Sequence, residues 1–401
     1  MKTLVKLYID AYRGLSPAAW LLALVMLINR TGSMVLPFLG IYMSSELDFS
    51  KAQVGFVLGC FGLGSVCGSW LGGWLTDRFG SFKVQAISLI LAVPLFLIIS
   101  QIRTFEGLSI MIFLLTVIAD TFRPANSVSV ASYAKPENIT RAYSLNRMAV
   151  NLGFSIGPAM GGFLATISYS WIFYGNAIGA GVAAIVFIYF FSKRKPSERK
   201  KSVQETTSPI IKRNAYTDKV FILFNILCFL FSVAFFQLLG TLPLYYKDIH
   251  LMSENQIGLL LGFSGFVIVL FEMVLVHAVE HRFGIRRILF WGTLITVFSY
   301  AMLNVHIGVW WLYLAMFLLS TGEMLILPFT ATLAIQRAGI HNQGAYMGFN
   351  SLAFSASLVF SPYLGMKVVD HFGYDTLWYI TAGILAITSV GFYWIVPKLK
   401  N

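Results

Sequence analysis

Apolar stretches of about 20 residues or more follow one another along the whole chain, and that length is what an α-helix needs to cross the hydrocarbon core of a bilayer. Lipid offers backbone groups no hydrogen-bond partner, so only helices or closed barrels span it. The runs are too long and too uniformly apolar for the alternating ten-residue strands of a barrel. They predict helices over residues 17–43, 51–75, 84–101, 107–131, 141–166, 170–192, 219–245, 255–279, 288–305, 308–333, 344–369 and 374–397. Charged residues make up only 11% of the chain, against roughly 25% in soluble domains, which places it in lipid rather than water. Lys2 and Lys6 precede the first run, but that run is too long for a signal peptide and lacks a small-residue cleavage site, so it reads as the first span.

A net charge of +12 raises the question of a nucleic-acid partner, which the placement of the basic residues answers. Arg78, Lys83, Lys193, Arg194, Arg282, Arg286, Arg287 and Arg337 all fall in connections that share a side with the N-terminus, whereas the opposite loops hold Lys51, Arg103 and Lys247. The positive-inside rule therefore puts both termini on the cytoplasmic side of a plasma (inner) membrane and leaves no basis for nucleic-acid binding.

The chain repeats itself. Arg78-Phe79-Gly80 returns about 200 residues later as Arg282-Phe283-Gly284, Gln53-Val54-Gly55 as Gln256-Ile257-Gly258, and Ala142-Tyr143 as Ala345-Tyr346. Six spans per copy give both copies the same orientation, the parallel-repeat plan that forms a binding site near the bilayer midplane. The expected organisation is an all-α integral membrane protein of twelve helices: a six-helix bundle over 1–192, a cytoplasmic linker over 193–218, and a second six-helix bundle over 219–401. The lysine-rich linker carries Pro196 and Pro209 and suits a flexible tether beside anionic lipid.

Enzyme signatures are lacking. No phosphate-binding loop, zinc-ligand spacing or Ser-His-Asp set stands out, so no catalytic residues, metal or cofactor are expected. Cys60, Cys67 and Cys228 all lie inside apolar runs and read as filler; the first two are two helical turns apart, beyond disulfide reach.

Two motifs carry a family likeness. Gly73-x-Leu75-x-Asp77-Arg78-x-Gly80, followed by Lys83, resembles the loop signature between the second and third helices of the major facilitator superfamily. Gly153-x-x-x-Gly157-Pro158-x-x-Gly161-Gly162 is similar to the fifth-helix motif of its drug/proton antiporter branches. The arginine those branches place early in the fourth helix is absent from Met111–Thr116, whereas Arg123-Pro124 and the run from Asn29-Arg30-Thr31-Gly32 look like a divergent relative of multidrug-resistance permeases. The resemblance covers essentially the whole chain. It implies a cytoplasmic gate at Gly73, Asp77, Arg78, Gly80 and Lys83, answered by Arg282 and Gly284 in the second copy. Physical reasons stand beside it: Gly80 and Gly284 suit tight loops at positive φ, and Asp77, at the end of a helix, suits the N-terminus of a helix from the other copy. On the fifth helix, four-residue glycine spacing permits close backbone approach, and Pro158 permits a bend.

Ionisable groups inside a span are costly and hence functional candidates. Arg30, Asp120, Arg123, Arg147, Glu272 and Glu323 qualify. Arg30, Asp120 and Glu323 fall near the middle of their spans, and Asp120 and Glu323 are repeat equivalents; Arg147 and Glu272 lie nearer the cytoplasmic end and read as braces for that half. By the resemblance, a cavity lined by the first, fourth, seventh and tenth helices would receive Arg30, Asp120, Arg123, Glu323 and Gln237. Asp120 and Glu323 are the candidate proton carriers; a static pair of Asp120 with Arg123 or Arg30 is the plainer alternative. The expected function is secondary transport by alternating access, with proton-coupled export of small amphipathic or drug-like molecules ahead of proton symport of peptides, sugars or organic anions, and of a lipid flippase or non-transporting receptor. The expected partners are a small-molecule substrate, protons and membrane lipids, with the protein acting as a monomer.

Overall fold

The computed structural model describes residues 9–10, 12–32, 35–194, 214–252, 254–305, 307–339 and 342–399. Most of the expected linker, residues 195–213, lies outside the described residues. The helices are α1 (Pro17–Thr31), α2 (Val35–Ser45), α3 (Lys51–Phe79), α4 (Ser81–Ile99), α5 (Phe105–Tyr133), α6 (Ile139–Ile167), α7 (Tyr169–Phe191), α8 (Lys219–Phe235), α9 (Thr241–Asp248), α10 (Glu254–Glu280), α11 (Ile285–Met302), α12 (Val309–Ala338) and α13 (Gln343–Leu399).

Two apolar runs that read as continuous are interrupted. The first gives α1 and α2, and the seventh gives α8, a 3₁₀ turn over Phe236–Leu238, and α9. Pro37 and Pro243 each fall in the first turn of the second piece, where a missing N–H leaves no helical bond unmade. Conversely α13 covers two expected spans, divided where Gly373 takes φ 80°. With α1–α2 and α8–α9 each counted as one crossing and α13 divided at Gly373, twelve crossings result among the described residues. Local caps agree with the boundaries: Ser16 accepts from the N–H of Ala19 ahead of α1, and Ser50 and Gln53 form a reciprocal capping box on α3.

The chain forms two compact units. One comprises Leu15–Ala215 with Ala338–Leu352, and the other Met1–Gly14, Tyr216–Arg337 and Ala353–Asn401. In the first, α3 lies along α5 on a glycine stripe. A Cβ on Gly64 would come within 2.7 Å of the carbonyl oxygen of Phe113, and one on Gly72 within 2.6 Å of the Cα of Thr121. On the other side α1 is seated against α6 and α7. Gly153 faces the Arg30 backbone, where an added Cβ would meet its carbonyl carbon at 3.0 Å, and a Cβ added to Gly179 would meet the Cα of Gly32 at 3.0 Å. The apolar core beyond these contacts is built from Leu39, Met43, Val57, Ile99, Leu108 and Ile112.

In the other unit α12 packs on α11 through Gly292, where a Cβ would lie 2.7 Å from that of Leu325, and on α10 through a 2.8 Å hydrogen bond between Ser264 and Ser320. Arg337, which read only as a topology-setting charge, is a buried clasp. Its Nε and Nη2 donate to the two carboxylate oxygens of Asp218 at 2.8 and 3.1 Å, and its Nη1 donates to the carbonyl of Leu399 at 3.0 Å. Asp218 also caps α8 by accepting from the N–H of Phe221. One guanidinium thus joins the start of α8, the end of α12 and the end of α13. Both side chains are under a tenth exposed, so removing one partner strands a buried charge. Arg337→Ala is expected to destabilise the protein by about 3–5 kcal/mol, seen as a large fall in melting temperature of the detergent-purified protein; an unchanged melting temperature would show the clasp to be dispensable.

Candidate functional site

Asp120 sits at mid-length of α5, where Pro124 cannot donate to its carbonyl and so interrupts the helical ladder at the acid. Both carboxylate oxygens are engaged. Oδ1 forms an ion pair with Arg123 Nε at 2.9 Å, and Oδ2 accepts from the hydroxyl of Ser65 on α3. Ser65 reaches it because the Gly64, Gly68 and Gly72 stripe brings α3 against α5. Asp120 is sealed at 7% side-chain exposure, whereas the paired Arg123 keeps 28%, so the arginine is the solvent-facing member of the pair. It holds the acid through Nε alone, which leaves its terminal nitrogens available.

Arg30 lies in the last turn of α1, close enough to feel both Asp120 and Arg123 electrostatically. Its guanidinium carbon stands 5.7 Å from the ring centre of Phe154, a cation–π contact, while its Nε is buried without an acceptor among the described residues. The site thus gathers two guanidiniums and one carboxylate. A cavity of about 70 Å³ opens beside them, lined by Asn29, Arg30, Asp120 and Asn176 among others.

The remaining candidates are distributed as follows. Glu323 is buried on α12 and Glu272 is fully buried on α10, whereas Arg147 is half-buried on α6. Gln237 occupies the 3₁₀ turn after α8, and both ends of its amide are used: the NH₂ donates to the carbonyl of Ser361 at 3.0 Å, and Oε1 accepts from Thr241 at 2.6 Å. In this structure its polar groups bind protein.

Asp77, in the last turn of α3, accepts from the N–H groups of Gly344 and Ala345 at 2.7 and 2.6 Å, so its carboxylate caps the first turn of α13. Gly73 makes room for this: a Cβ there would lie 2.6 Å from the Gly344 carbonyl oxygen and 2.9 Å from the Cα of Gly348. Arg78 is exposed and folds over the rings of Trp74 and Phe79 at 5.2 and 5.6 Å. Lys83 and Arg282 are exposed. Gly80 has φ 86°, as its loop requires, but Gly284 does not share that conformation. At φ −70° and ψ 145° it is in extended backbone open to any residue, because Arg282 and Phe283 have already completed the reversal, so the expectation of positive φ there is corrected. Of the fifth-helix motif, Gly153, Gly157 and Gly161 are buried in α6, and Gly153 abuts Arg30; the placement of Pro158 and Gly162 beyond their helical backbone lies outside the described residues.

Sequence reasoning missed Ser65 and the α3 stripe. The four-residue spacing of Gly64, Gly68 and Gly72 was the available signal for a close helix contact.

The family model of the Major Facilitator Superfamily matches residues 19–252 and 248–401. Among similar curated proteins, an uncharacterized MFS-type transporter of Bacillus subtilis, YttB, is 28% identical, with 89% of each chain covered. Quinolone resistance protein NorA of Staphylococcus aureus is 24% identical over 86% of this chain and 88% of its own length. A Na(+), Li(+), K(+)/H(+) antiporter of Planococcus maritimus is 21% identical over 92% and 93%. Among solved structures, the human organic anion transporter MFSD10 superposes with a TM-score of 0.72 at 15% identity, covering 94% of this chain and 98% of its own. A bacterial homologue of the iron transporter ferroportin gives 0.73 at 17%, with the same coverage. Twelve spans, the duplicated architecture and a match along nearly the full length converge on one assignment: the chain is an integral membrane transporter that belongs to the Major Facilitator Superfamily.

Proposed function

We propose that this protein is a proton-coupled secondary transporter of the plasma membrane, with cytoplasmic termini, that exports small amphipathic or drug-like molecules by alternating access. The relatives named for quinolone resistance and cation/proton antiport support exchange as the mode of coupling. The observation that carries the reading is the Asp120–Arg123 pair at 2.9 Å, with the acid buried at mid-span, the arginine half-buried, and Arg30 nearby. Structural ion pairs rarely sit in hydrocarbon without a task. Glu323, the repeat equivalent of Asp120, is the second carboxylate at that level and has no basic residue within four positions on its own helix. Together with Asp120 it is the candidate proton carrier.

Asp77 serves as a conformational latch in this reading, since a carboxylate on a helix N-terminus holds only while those helices stay together. The two cytoplasmic-half charges, Arg147 and Glu272, brace the same end of their bundles.

A second reading, cotransport of organic anions with protons, is favoured by the excess of guanidinium over carboxylate around Arg30. Arg30 and Arg123 are the charged groups beside Asp120, and a proton on that acid leaves both cations uncompensated, so proton and anion bind together there. Direction separates the two: a pH gradient across proteoliposomes drives substrate against the proton flow in exchange and with it in cotransport.

Two variants test the assignments. Glu323→Gln keeps the side-chain shape and is expected to lower pH-gradient-driven flux at least tenfold while substrate binding, read by thermal shift, persists; normal flux removes Glu323 from the coupling role. Asp77→Asn retains one acceptor and turns an NH₂ toward the other backbone donor, which weakens the cap by about 1–2 kcal/mol. Transport is expected to fall several-fold at unchanged membrane expression, and full activity would exclude the latch.

A further inference from the structure

Arg30 is a buried cation whose needs the protein itself does not meet. Its Nε is sealed from solvent and has no acceptor among the described residues. Asp120 does not supply one: its carboxylate is paired with Arg123 and with Ser65 instead. The Arg30 backbone is fixed in place: Gly153 packs against it from α6, and Gly32, two residues on, is in contact with Gly179 of α7. The guanidinium is therefore held over Phe154 at the edge of a cavity that Asn29 and Asn176 also line. At about 70 Å³ this space is far below the roughly 300–1,000 Å³ of a drug-sized pocket. It suits a single polar head group or a few waters. A guanidinium is matched in shape and charge by a planar oxyanion, which accepts two parallel N–H bonds.

We propose that this cavity is an acid subsite: it receives the carboxylate, or a similar monoanionic head, of the transported amphiphile, with Arg30 as the contact, while Arg123, paired with the cavity-lining Asp120, sets the charge beside it. The inference rests on the transport reading above, deepens it by naming the substrate's charge, and holds for either direction of transport. The head group supplies the missing anion, so two guanidiniums then face two carboxylates in a region where an unmatched charge is costly. The apolar body of the molecule lies outside the small cavity. Asp120, which lines the cavity and is paired with Arg123, competes with the ligand for the positive charge there.

The test compares three molecules of one shape on the full-length protein in nanodiscs: 1-naphthaleneacetate, 1-naphthaleneacetamide and 1-naphthylethylamine, with affinities from calorimetry and thermal shift at pH 7. The acid is expected to bind at least tenfold more tightly than the amide, and the amine more weakly still. Arg30→Gln is expected to abolish the preference for acid over amide, and Arg123→Gln to reduce it about tenfold. Asp120→Asn, which removes the competing carboxylate, is expected to strengthen acid binding several-fold. That variant keeps the proposal testable should Arg30→Gln fail to fold. Equal binding of acid and amide, tighter binding of the amine, no acid binding up to millimolar concentration, an acid preference that survives Arg30→Gln, or unaltered acid binding in Asp120→Asn would each overturn it. Stabilisation by sodium chloride alone, lost in Arg30→Gln and without any acid preference, would assign the cavity to a free inorganic ion and also overturn it. Flux of the acid into proteoliposomes is read separately. An Arg30-dependent acid preference without flux leaves the subsite standing and removes the transport reading, whereas flux without that preference does the reverse.

Discussion

Close backbone approach at glycine is the constraint on which this architecture turns. Between helices in lipid the hydrophobic effect supplies little net attraction, so association depends on packing, and packing is tightest where no side chain intervenes. Gly64, Gly68 and Gly72 seat α3 on α5, Gly153 seats α6 on α1, Gly32 meets Gly179, and Gly73 meets Gly344 and Gly348. Each contact has a polar consequence within a few residues. The first brings Ser65 to Asp120, the second fixes Arg30, and the last puts Asp77 on the first turn of α13.

The charges are consequently not free agents placed in a cavity. Asp120 has both oxygens used, so the carboxylate is preorganised and its strongest partner, Arg123, is the one facing outward. Such a pair contributes little net stability, because desolvation offsets most of the Coulombic gain.

Much of this was legible in the sequence, and the reasons are physical. Lipid removes most structural options, so long apolar runs translated directly into α3, α4, α5, α6, α7, α10, α11 and α12. The acceptor position of Asp77 could be read because a carboxylate ending one helix suits the orphan N–H groups beginning another. The interruptions in the first and seventh runs were not legible, since Pro37 and Pro243 leave the hydropathy of those runs intact while changing where a helix restarts. Gln237 was read as a cavity group from its depth alone, whereas its bonds to Ser361 and Thr241 depend on which helices meet. The same blindness to long-range partners hid Ser65 and the clasp of Arg337 on Asp218, 119 residues away in the chain.

The duplication makes the chemistry of the two copies comparable position by position, and at the acids they diverge. Asp120 is answered by Glu323, but the counterparts of Arg123 and Arg30 at the same offset are Ile326 and Val233. One copy therefore retains an acid held by arginine, and the other an acid whose helix offers it no cation nearby. In a medium of low dielectric these are different devices. Asp120 is held in a 2.9 Å ion pair with Arg123, and the sequence around Glu323 does not reproduce that pairing. A duplicated scaffold thus sets two acids at equivalent positions in different local surroundings, one with Arg123 three residues on and the other with Ile326 there.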